Sequence, residues 1–300
     1  MLQDVLPPWP KSYATTGSVL YLDHGHTRPS VNFQNAATGE FTATYSPHRV
    51  IMNDARMLAP NLDKRGFALL SHRSAVPDFW DEEEVGTTGR AEAAAIVKAA
   101  TGATHVHVFD HTLRRRAPDA PRQPSTRVHN DYTPASALHR VGDLLGEDEA
   151  DAPFAFINVW RPVNHPAADW PLALIDATTV SPEDLVATDI EYTGRHGEIF
   201  HVRHNPRHRW YYVPAMQLDE VLLIKCADTR PGRAQLAPHT AFASPLTPPE
   251  APPRESVEFR TIAFFPQTQP VRSDASAKQR LSRSPNQPIF NPVRATGLWR

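Results

Sequence analysis

The chain of 300 residues lacks several features that would assign a protein to a class at once. Its single cysteine, Cys226, excludes an internal disulfide and a four-cysteine zinc site, and it gives no sign of an oxidising compartment. No stretch approaches about 18 consecutive apolar residues, so no membrane span is predicted. The first residues carry an acid and prolines where a signal peptide needs a basic stretch and an apolar run. We therefore expect a cytoplasmic protein, either a monomer or a simple oligomer such as a homodimer.

The chain also lacks an excess of charge of either sign. Lysine and arginine number 31, aspartate and glutamate 33, and the net charge is -2. Such a balance provides no basic field for phosphate backbones, which argues against a nucleic-acid partner and leaves a small molecule as the expected ligand. Glycine is scarce as well, with 13 residues against 30 prolines. Because proline disfavours helix interiors and central strands, we expect many turns and ordered loops around a modest regular scaffold.

Apolar runs of strand length predict the fold. They occupy residues 105–111, 155–160, 199–204, 209–213, 221–227 and 257–265. The turn signal Asn205-Pro206 predicts that the third and fourth of these runs form a hairpin. Good helix formers over residues 90–100, followed by Gly102, predict a helix with a glycine stop, and residues 182–187 predict a shorter one.

These elements predict a mainly β fold with flanking helices (α+β), built on an antiparallel sandwich or jelly roll. Residues 1–266 are predicted to form a single domain. Within it, residues 1–100 are an amino-terminal addition of helices and strands, and residues 101–266 are the core. Residues 267–300 are polar and mildly basic, which predicts a carboxyl-terminal extension.

Two histidines and one aspartate form the candidate chemical centre. His129 and Asp131 are two residues apart, so on an extended chain their side chains point to the same face. His239 follows the apolar run 221–227 and supplies a third ligand. Two imidazoles and one carboxylate are the ligand set of non-haem Fe(II) oxygenases, which leaves coordination positions open. The triad could also hold Zn²⁺ and a water molecule.

An arginine and a serine come next along the chain. Arg254 and Ser256 share one face of the strand that follows, and a guanidinium with a hydroxyl suits the far carboxylate of a dicarboxylic acid. Arg260 has the same parity on that strand, and the sequence leaves open which arginine reaches the ligand. The order of these motifs is the one that a 2-oxoglutarate-dependent oxygenase uses.

Seven stretches of the sequence resemble one known family. They are residues 110–116, 127–133, 157–162, 208–212, 219–225, 237–242 and 254–260. The family is the CmcJ/NvfI/AsaB-like group of Fe(II)/2-oxoglutarate-dependent oxygenases, which includes proteins like gibberellin A4 desaturase and cephamycin methoxylase component J. The resemblance covers residues 105–266 and implies a double-stranded β-helix (jelly-roll, cupin-like) core. It also implies Fe(II), 2-oxoglutarate and O2 as cofactor and co-substrates.

Further residues are candidates for the same site. Asn158 is placed to bond the metal-bound carboxylate and, with Arg161, to help bind the co-substrate, although a buried asparagine that bonds backbone is equally consistent. Tyr132 and Trp160 are candidate substrate contacts or ordinary core residues. Cys226 is interpreted as a small core residue.

Two charged groups are interpreted as less promising. The rival metal cluster of His201, His204 and His208 has no carboxylate nearby in sequence. The run Arg114–Arg116 is interpreted as a solvated face or an ion-pair network.

The sequence therefore predicts an enzyme that hydroxylates, desaturates or otherwise oxidises a small organic substrate, expected to be a secondary metabolite. Oxidation is coupled to decarboxylation of 2-oxoglutarate to succinate and CO2. Two alternatives stay open at this point: an iron oxygenase that does not use 2-oxoglutarate, and a non-catalytic jelly-roll accessory or binding protein. A zinc hydrolase is a weaker third alternative.

Overall fold

The computed structural model describes residues 14–25, 28–34 and 39–267, and these residues form fifteen strands. The strands are β1 (Thr15–Leu22), β2 (Ser30–Asn32), β3 (Glu40–Phe41), β4 (Tyr45–Asp54), β5 (Phe67–Ser71), β6 (His105–Arg115), β7 (His129–Asn130), β8 (Phe154–Pro162), β9 (Leu172–Ile175), β10 (Leu185–Tyr192), β11 (Arg195–Val202), β12 (Trp210–Tyr212), β13 (Glu220–Asp228), β14 (His239–Ala241) and β15 (Glu255–Phe264).

There are fewer helices than strands. They are α1 (Leu62–Arg65), α2 (Glu82–Glu84), α3 (Arg90–Thr101), α4 (Pro134–Leu145) and α5 (Glu147–Ala150). A π-helical turn at Val85–Gly89 leads into α3, and 3-10 turns lie at Ala55–Met57, Ala177–Thr179 and Pro182–Asp184. Among the described residues, no helix combines the length and the apolar character that crossing a membrane requires.

The strands form two sheets. The larger sheet has the order β1-β4-β12-β9-β14-β7-β11-β10-β2-β3, and the smaller has the order β5-β13-β8-β15-β6. Most pairs are antiparallel, with β10–β2 and β12–β4 as parallel pairs. This arrangement confirms the mainly β prediction with flanking helices and a jelly-roll core.

The main hydrophobic core brings residues of both sheets together. Phe156, Trp160 and Ile224 of the smaller sheet belong to the same buried cluster as Leu174 and Tyr211 of the larger sheet. The odd-numbered residues of β8 face the other way, and there they pack with the apolar side of α3. Every residue of β8 is therefore buried, because the strand is covered on both faces.

Local signals explain several element ends. Helix α3 stops at Gly102, which adopts a left-handed φ of 69°, as the sequence predicted. Gly66 ends α1 with a φ of 81°, and a Cβ there would lie 2.4 Å from the carbonyl oxygen of Leu236. Both positions therefore require glycine.

The predicted hairpin between residues 199–204 and 209–213 is wrong. β11 pairs with β10 over its whole length, whereas β12 pairs with β4 and β9. The turn at Asn205-Pro206 separates two strands that lie apart in one sheet. The predicted short helix at residues 182–187 is wrong. Its first three residues, Pro182–Asp184, form a 3-10 turn, and β10 starts directly after that turn at Leu185.

Strands from the first hundred residues complete both sheets. β1 and β4 form one edge of the larger sheet, and β5 pairs with β13 in the smaller one. The predicted extension begins at residue 267, and its residues 268–300 lie outside the described residues.

Candidate functional site

Neighbouring strands bring the three predicted metal ligands together. His129 begins β7, Asp131 follows that strand directly, and His239 begins β14. β7 and β14 are paired with His239 opposite His129, so both imidazoles project from the same face of the sheet. The Nε2 atoms of His129 and His239 lie 3.5 and 4.0 Å from Oδ1 of Asp131. Within the described part of the chain, this is the one group of three such side chains whose ligand atoms all lie within 4.8 Å of one another.

Backbone carbonyls fix the orientation of both imidazoles. Nδ1 of His129 donates to the carbonyl of Arg127 at 2.8 Å, and Nδ1 of His239 donates to the carbonyl of Ala237 at 3.0 Å. A carbonyl only accepts, so each Nδ1 carries the proton and each Nε2 keeps its lone pair. Burial and the neighbouring His129 lower the pKa of His239, which favours the neutral ring that a metal requires.

The other carboxylate oxygen of Asp131 is held from behind. The amide of Asn158 donates to Oδ2 at 2.7 Å, and Nε of Arg260 lies 3.7 Å from the same oxygen. Burial opposes ionisation of Asp131, but the contact with His129 and the charge of Arg260 outweigh it and hold the pKa well below its usual range. An ionised carboxylate with one free oxygen and two neutral imidazoles fits a divalent iron site with open positions.

A cleft between the two sheets extends from this metal end, which comprises His129, Asp131 and His239. Its lining residues at the other end come from the smaller sheet and include Arg114, Trp160, Arg254 and Glu258. The register places three rows of side chains on the face that points towards the cleft. These rows are Asn158–Arg260–Asp110, Trp160–Glu258–Thr112 and Pro162–Ser256–Arg114.

Arg254 is buried, and no carboxylate among the described residues pairs with it. Only 2% of the residue is exposed, and its Nη1 donates to the carbonyl of Trp170 at 2.7 Å. Trp170 adopts a left-handed φ of 41°, a strained value for a bulky residue. The guanidinium carbon lies 5.5 Å from the ring centre of Trp160. Nε of Arg254 and Oγ of Ser256 have no hydrogen-bond partner among the described residues. Burial and the nearby charge of Arg114 lower the pKa of Arg254 to about 9.

Arg260, the rival that the sequence left open, is already bound by protein carboxylates. Its Nη1 donates to Asp110 at 2.8 Å, its Nη2 lies 2.8 Å from Glu258, and its Nε faces Asp131. Although burial opposes its charge, these carboxylates keep the pKa of Arg260 above its usual value. Arg260 therefore supports the metal end, and Arg254 is the arginine left free for a ligand.

The prediction that Arg161 helps to bind the co-substrate is wrong. Side chains alternate along β8, so Arg161 faces away from the cleft that Asn158 faces. Its Nη2 donates to the carbonyls of His72 and Leu218, and its guanidinium lies 5.7 Å from the ring of Phe79. Arg161 ties two loops to the outer face of the smaller sheet.

The two aromatic candidates occupy different surroundings. Trp160 lines the cleft beside Arg254, as the sequence predicted. Tyr132 packs against the main core, with its ring centre 4.3 Å from that of Phe156, and it is absent from the lining of the cleft. Burial raises the pKa of the Tyr132 hydroxyl, which therefore stays protonated. Cys226 is buried in the same core, as predicted.

The histidines of the rival cluster are engaged elsewhere. Nδ1 of His201 contacts the hydroxyls of Tyr45 and Thr188 at 3.0 and 3.1 Å. His208 accepts from Tyr21 and contacts Asp184 at 3.1 Å, so it belongs to a buried hydrogen-bond network. These contacts give His201 and His208 structural partners, and the ring of His204 stacks on that of His48 with centroids 4.0 Å apart.

Sequence reasoning missed Arg114 and Glu258. The run that contains Arg114 was interpreted as solvated, but β6 continues through it and turns Arg114 towards the cleft. Arg115 and Arg116 do follow that interpretation, because they pair with Asp119 and Asp169. The available signal is the alternation of side chains along extended chain. Positions 254, 256 and 258 share one face, and the neighbouring strand β6 contains the arginine run.

Comparisons with known proteins agree with this site. Residues 19–264 match the family described as an oxidoreductase/YMDC permease-like domain. The Fe(II)/2-oxoglutarate-dependent dioxygenase nvfI of Aspergillus novofumigatus is 32% identical over 235 residues, which cover 73% of this chain and 84% of that protein. The hydroxylase/desaturase efuI of Hormonema carpetanum is 30% identical over 77% of this chain and 88% of that protein.

A solved structure extends the agreement to the fold. The iron and alpha-ketoglutarate-dependent endoperoxidase NvfI matches with a TM-score of 0.77 at 28% identity, over 85% of this chain and 99% of that one. Alpha-ketoglutarate is another name for 2-oxoglutarate. The resemblance seen in the sequence is thereby confirmed, as is the jelly-roll core. The chain belongs to the NvfI-like family of Fe(II)/2-oxoglutarate-dependent dioxygenases.

Proposed function

We propose that His129, Asp131 and His239 hold the Fe(II) of this dioxygenase, and that Arg254 and Ser256 bind the far carboxylate of 2-oxoglutarate. The observation that carries the proposal is a buried arginine without a carboxylate partner, in the same cleft as two imidazoles and a carboxylate that converge. An iron site alone needs no such arginine, whereas a dicarboxylic co-substrate does.

Iron bound at the metal end supplies, with 2-oxoglutarate and O2, the oxidising power for attack on an unactivated C–H bond. The protein's own contribution is orientation. The carbonyls of Arg127 and Ala237 hold both imidazoles with Nε2 towards the metal position. The amide of Asn158 and the guanidinium of Arg260 hold one oxygen of Asp131 and leave the other for the metal.

The other end of the cleft fixes the direction in which the co-substrate lies. A guanidinium offers parallel donors that match a carboxylate, and the hydroxyl of Ser256 adds a third donor. Nη1 of Arg254 is held by the carbonyl of Trp170, and the ring of Trp160 lies beside the guanidinium. The guanidinium is thus positioned before a ligand arrives, which reduces the entropy lost on binding.

The substrate is a small organic molecule, expected to be a secondary metabolite, as in pathways of this family. We propose that Trp160 contributes an apolar wall to the cleft that the substrate enters. Tyr132 has a weaker claim to that role because it packs into the core. Hydroxylation, desaturation and ring formation remain equally open as outcomes, since they depend on how the substrate lies.

Anaerobic reconstitution tests the proposal. Fe(II) and 2-oxoglutarate added together are expected to give a weak visible charge-transfer band that neither gives alone. Iron binding without any spectral response to 2-oxoglutarate would favour an oxygenase that does not use this co-substrate. Absence of iron binding would leave a non-catalytic jelly-roll protein. The variant Arg254→Gln checks the role of the arginine. It is expected to lose the spectral response to 2-oxoglutarate and to keep the iron affinity of the wild type.

Wider features of the protein stay predictions from the sequence. We propose that residues 1–266 act as one oxygenase unit, which the pairing of β1, β4 and β5 into both sheets supports. A cytoplasmic location, a homodimer and the absence of nucleic-acid or membrane partners are likewise predictions. The role of residues 267–300 is left open.

A further inference from the structure

A second arginine shares the cleft with Arg254. Arg114 lies on β6 directly opposite Ser256 of β15, and Arg254 comes two residues before Ser256. Residues that are paired across antiparallel strands point to the same face, as do residues two apart on one strand. All three side chains therefore face the same end of the cleft, which we call the arginine end.

Arg114 resembles Arg254 in having no carboxylate partner. Its Nη1 donates to the carbonyl of Gln123 at 2.9 Å, and among the described residues no carboxylate oxygen lies within 4.0 Å of its nitrogens. Its neighbours in the chain differ, because Arg115 and Arg116 both have carboxylate partners. The arginine end thus contains two guanidinium groups that no described side chain neutralises.

The acidic side chains nearest to the arginine end contact other arginines. Glu258 also lines the cleft, but Nη2 of Arg260 lies 2.8 Å from it. Asp169 accepts from the backbone N–H of Arg254 and pairs with Arg116. Burial lowers the pKa of both arginines, and the charge of Arg114 adds to this effect at Arg254, while the charge of Glu258 opposes it at both. A ligand carboxylate between them would relieve both.

We propose that Arg114 is the second guanidinium that grips the far carboxylate of 2-oxoglutarate, opposite Arg254, and that it makes the cleft selective for 2-oxo diacids over 2-oxo acids with a neutral far end. This inference rests on the proposed function and adds to it a residue on a different strand. Side chains from two neighbouring segments of one sheet face would then bind the carboxylate together. Ser256 lies directly opposite Arg114 and two residues after Arg254, and its hydroxyl would complete the set of donors.

The test compares two ligands and three proteins. 2-Oxoglutarate and 2-oxohexanoate, in which an ethyl group replaces the far carboxylate, are titrated anaerobically into the Fe(II)-loaded protein and followed by calorimetry and by the visible band. The proteins are the wild type, Arg114→Gln and the matched control Arg115→Gln. Arg115 is the next residue on the same strand and has 43% of its side chain exposed.

Arg114→Gln is expected to weaken 2-oxoglutarate binding about 10- to 100-fold, the usual effect of losing a charged hydrogen bond. Binding of 2-oxohexanoate should change by less than about threefold, so the preference for the diacid falls. Arg115→Gln should bind both ligands as the wild type does. Arg114→Lys, which keeps the charge without the fork, should recover part of the lost affinity.

Each contrary outcome has a distinct meaning. Wild-type protein that does not bind 2-oxoglutarate would refute the proposed function itself. Wild-type binding that Arg114→Gln leaves unchanged would overturn only this inference and would assign Arg114 to another anion, such as one on the substrate. An equal loss for both ligands, or recovery of nothing by Arg114→Lys, would show that Arg114 acts through the fold and would also overturn the inference.

Discussion

The two ends of the cleft treat buried charge in opposite ways. At the metal end, Asp131 is bound by Asn158 and Arg260, and Arg260 has further carboxylates in Asp110 and Glu258. At the arginine end, Arg254 has a carbonyl partner and, among the described residues, no carboxylate. Arg260 lies on β15 and Arg254 directly precedes that strand, so both ends draw charged residues from one stretch of the chain.

The difference shows that the partners of a buried charge distinguish a structural residue from a ligand-binding one. A charge whose partners are all within the protein stabilises its surroundings, and removing one partner leaves the others buried and unpaired. A buried charge without a protein partner costs stability, and it persists where a ligand of opposite charge supplies the missing partner. Arg254 and Arg260 lie six positions apart and represent the two cases.

Loss of the ligand carboxylate at the metal end should have the largest effect. Asp131→Asn is expected to abolish iron binding and reduce turnover to background, because a neutral amide cannot replace an ionised ligand. Iron affinity and succinate formation are the measurements. Asp110→Asn is the matched control, since Asp110 also contacts Arg260 but has 47% of its side chain exposed. A variant at position 131 that retains iron would refute the assignment of the ligands.

Arg260 on β15 and Arg254 just before it should respond in opposite ways. Arg260→Gln leaves the carboxylates of Asp131 and Glu258 without their cation, and we expect the unfolding free energy of the metal-free protein to fall by about 3 kcal/mol. Arg254→Gln breaks no ion pair and should change it by no more than about 1 kcal/mol. It should instead weaken 2-oxoglutarate binding about 100-fold. Denaturant unfolding and ligand titration of both variants provide the measurements. Equal losses of stability would remove the distinction between the two ends.

Support behind the metal ligand should matter less than the ligand itself. Asn158→Ala removes the amide that holds Oδ2 of Asp131, and iron affinity is expected to fall about 10- to 100-fold. Asn53→Ala, which removes a hydrogen bond to the carbonyl of Trp210 far along the larger sheet, should leave iron affinity intact. A similar fall in both variants would mean that Asn158 acts only through general stability.

The smallest effect on the site is expected from Arg161. It faces away from the cleft, so Arg161→Gln should change 2-oxoglutarate affinity by less than about twofold. The same variant should lower the unfolding temperature, because it leaves the carbonyls of His72 and Leu218 without their donor. Weaker co-substrate binding in this variant would support the predicted role of Arg161 in binding 2-oxoglutarate, against the orientation of its side chain.

That His129, Asp131 and His239 meet could be predicted from the sequence because their signal is local and ordered. His129 and Asp131 are two residues apart on extended chain, so alternation puts them on one face, and the order of the motifs indicates His239, which follows an apolar strand. The same reasoning failed for Arg161, whose parity on β8 is opposite to that of Asn158. It also failed for Arg114, because a run of three arginines conceals the continuation of β6.

Strand partners were harder to predict than strands. The apolar runs that form β8, β13 and β15 are recognisable because each buries a nearly continuous set of side chains. The hairpin prediction failed because a turn signal says nothing about which strand a neighbour pairs with. Pairing in a jelly roll joins strands distant in sequence, and that information lies in packing rather than in local pattern.

The most direct test of the opposite roles of the two ends is a crystal structure of the anaerobic complex with Fe(II) and 2-oxoglutarate. We predict iron bound by His129, Asp131 and His239, with the 2-oxo acid end of the co-substrate on the metal and its far carboxylate within hydrogen-bond distance of Arg254. A co-substrate that lies in the reverse direction, or iron bound by other residues, would contradict the account.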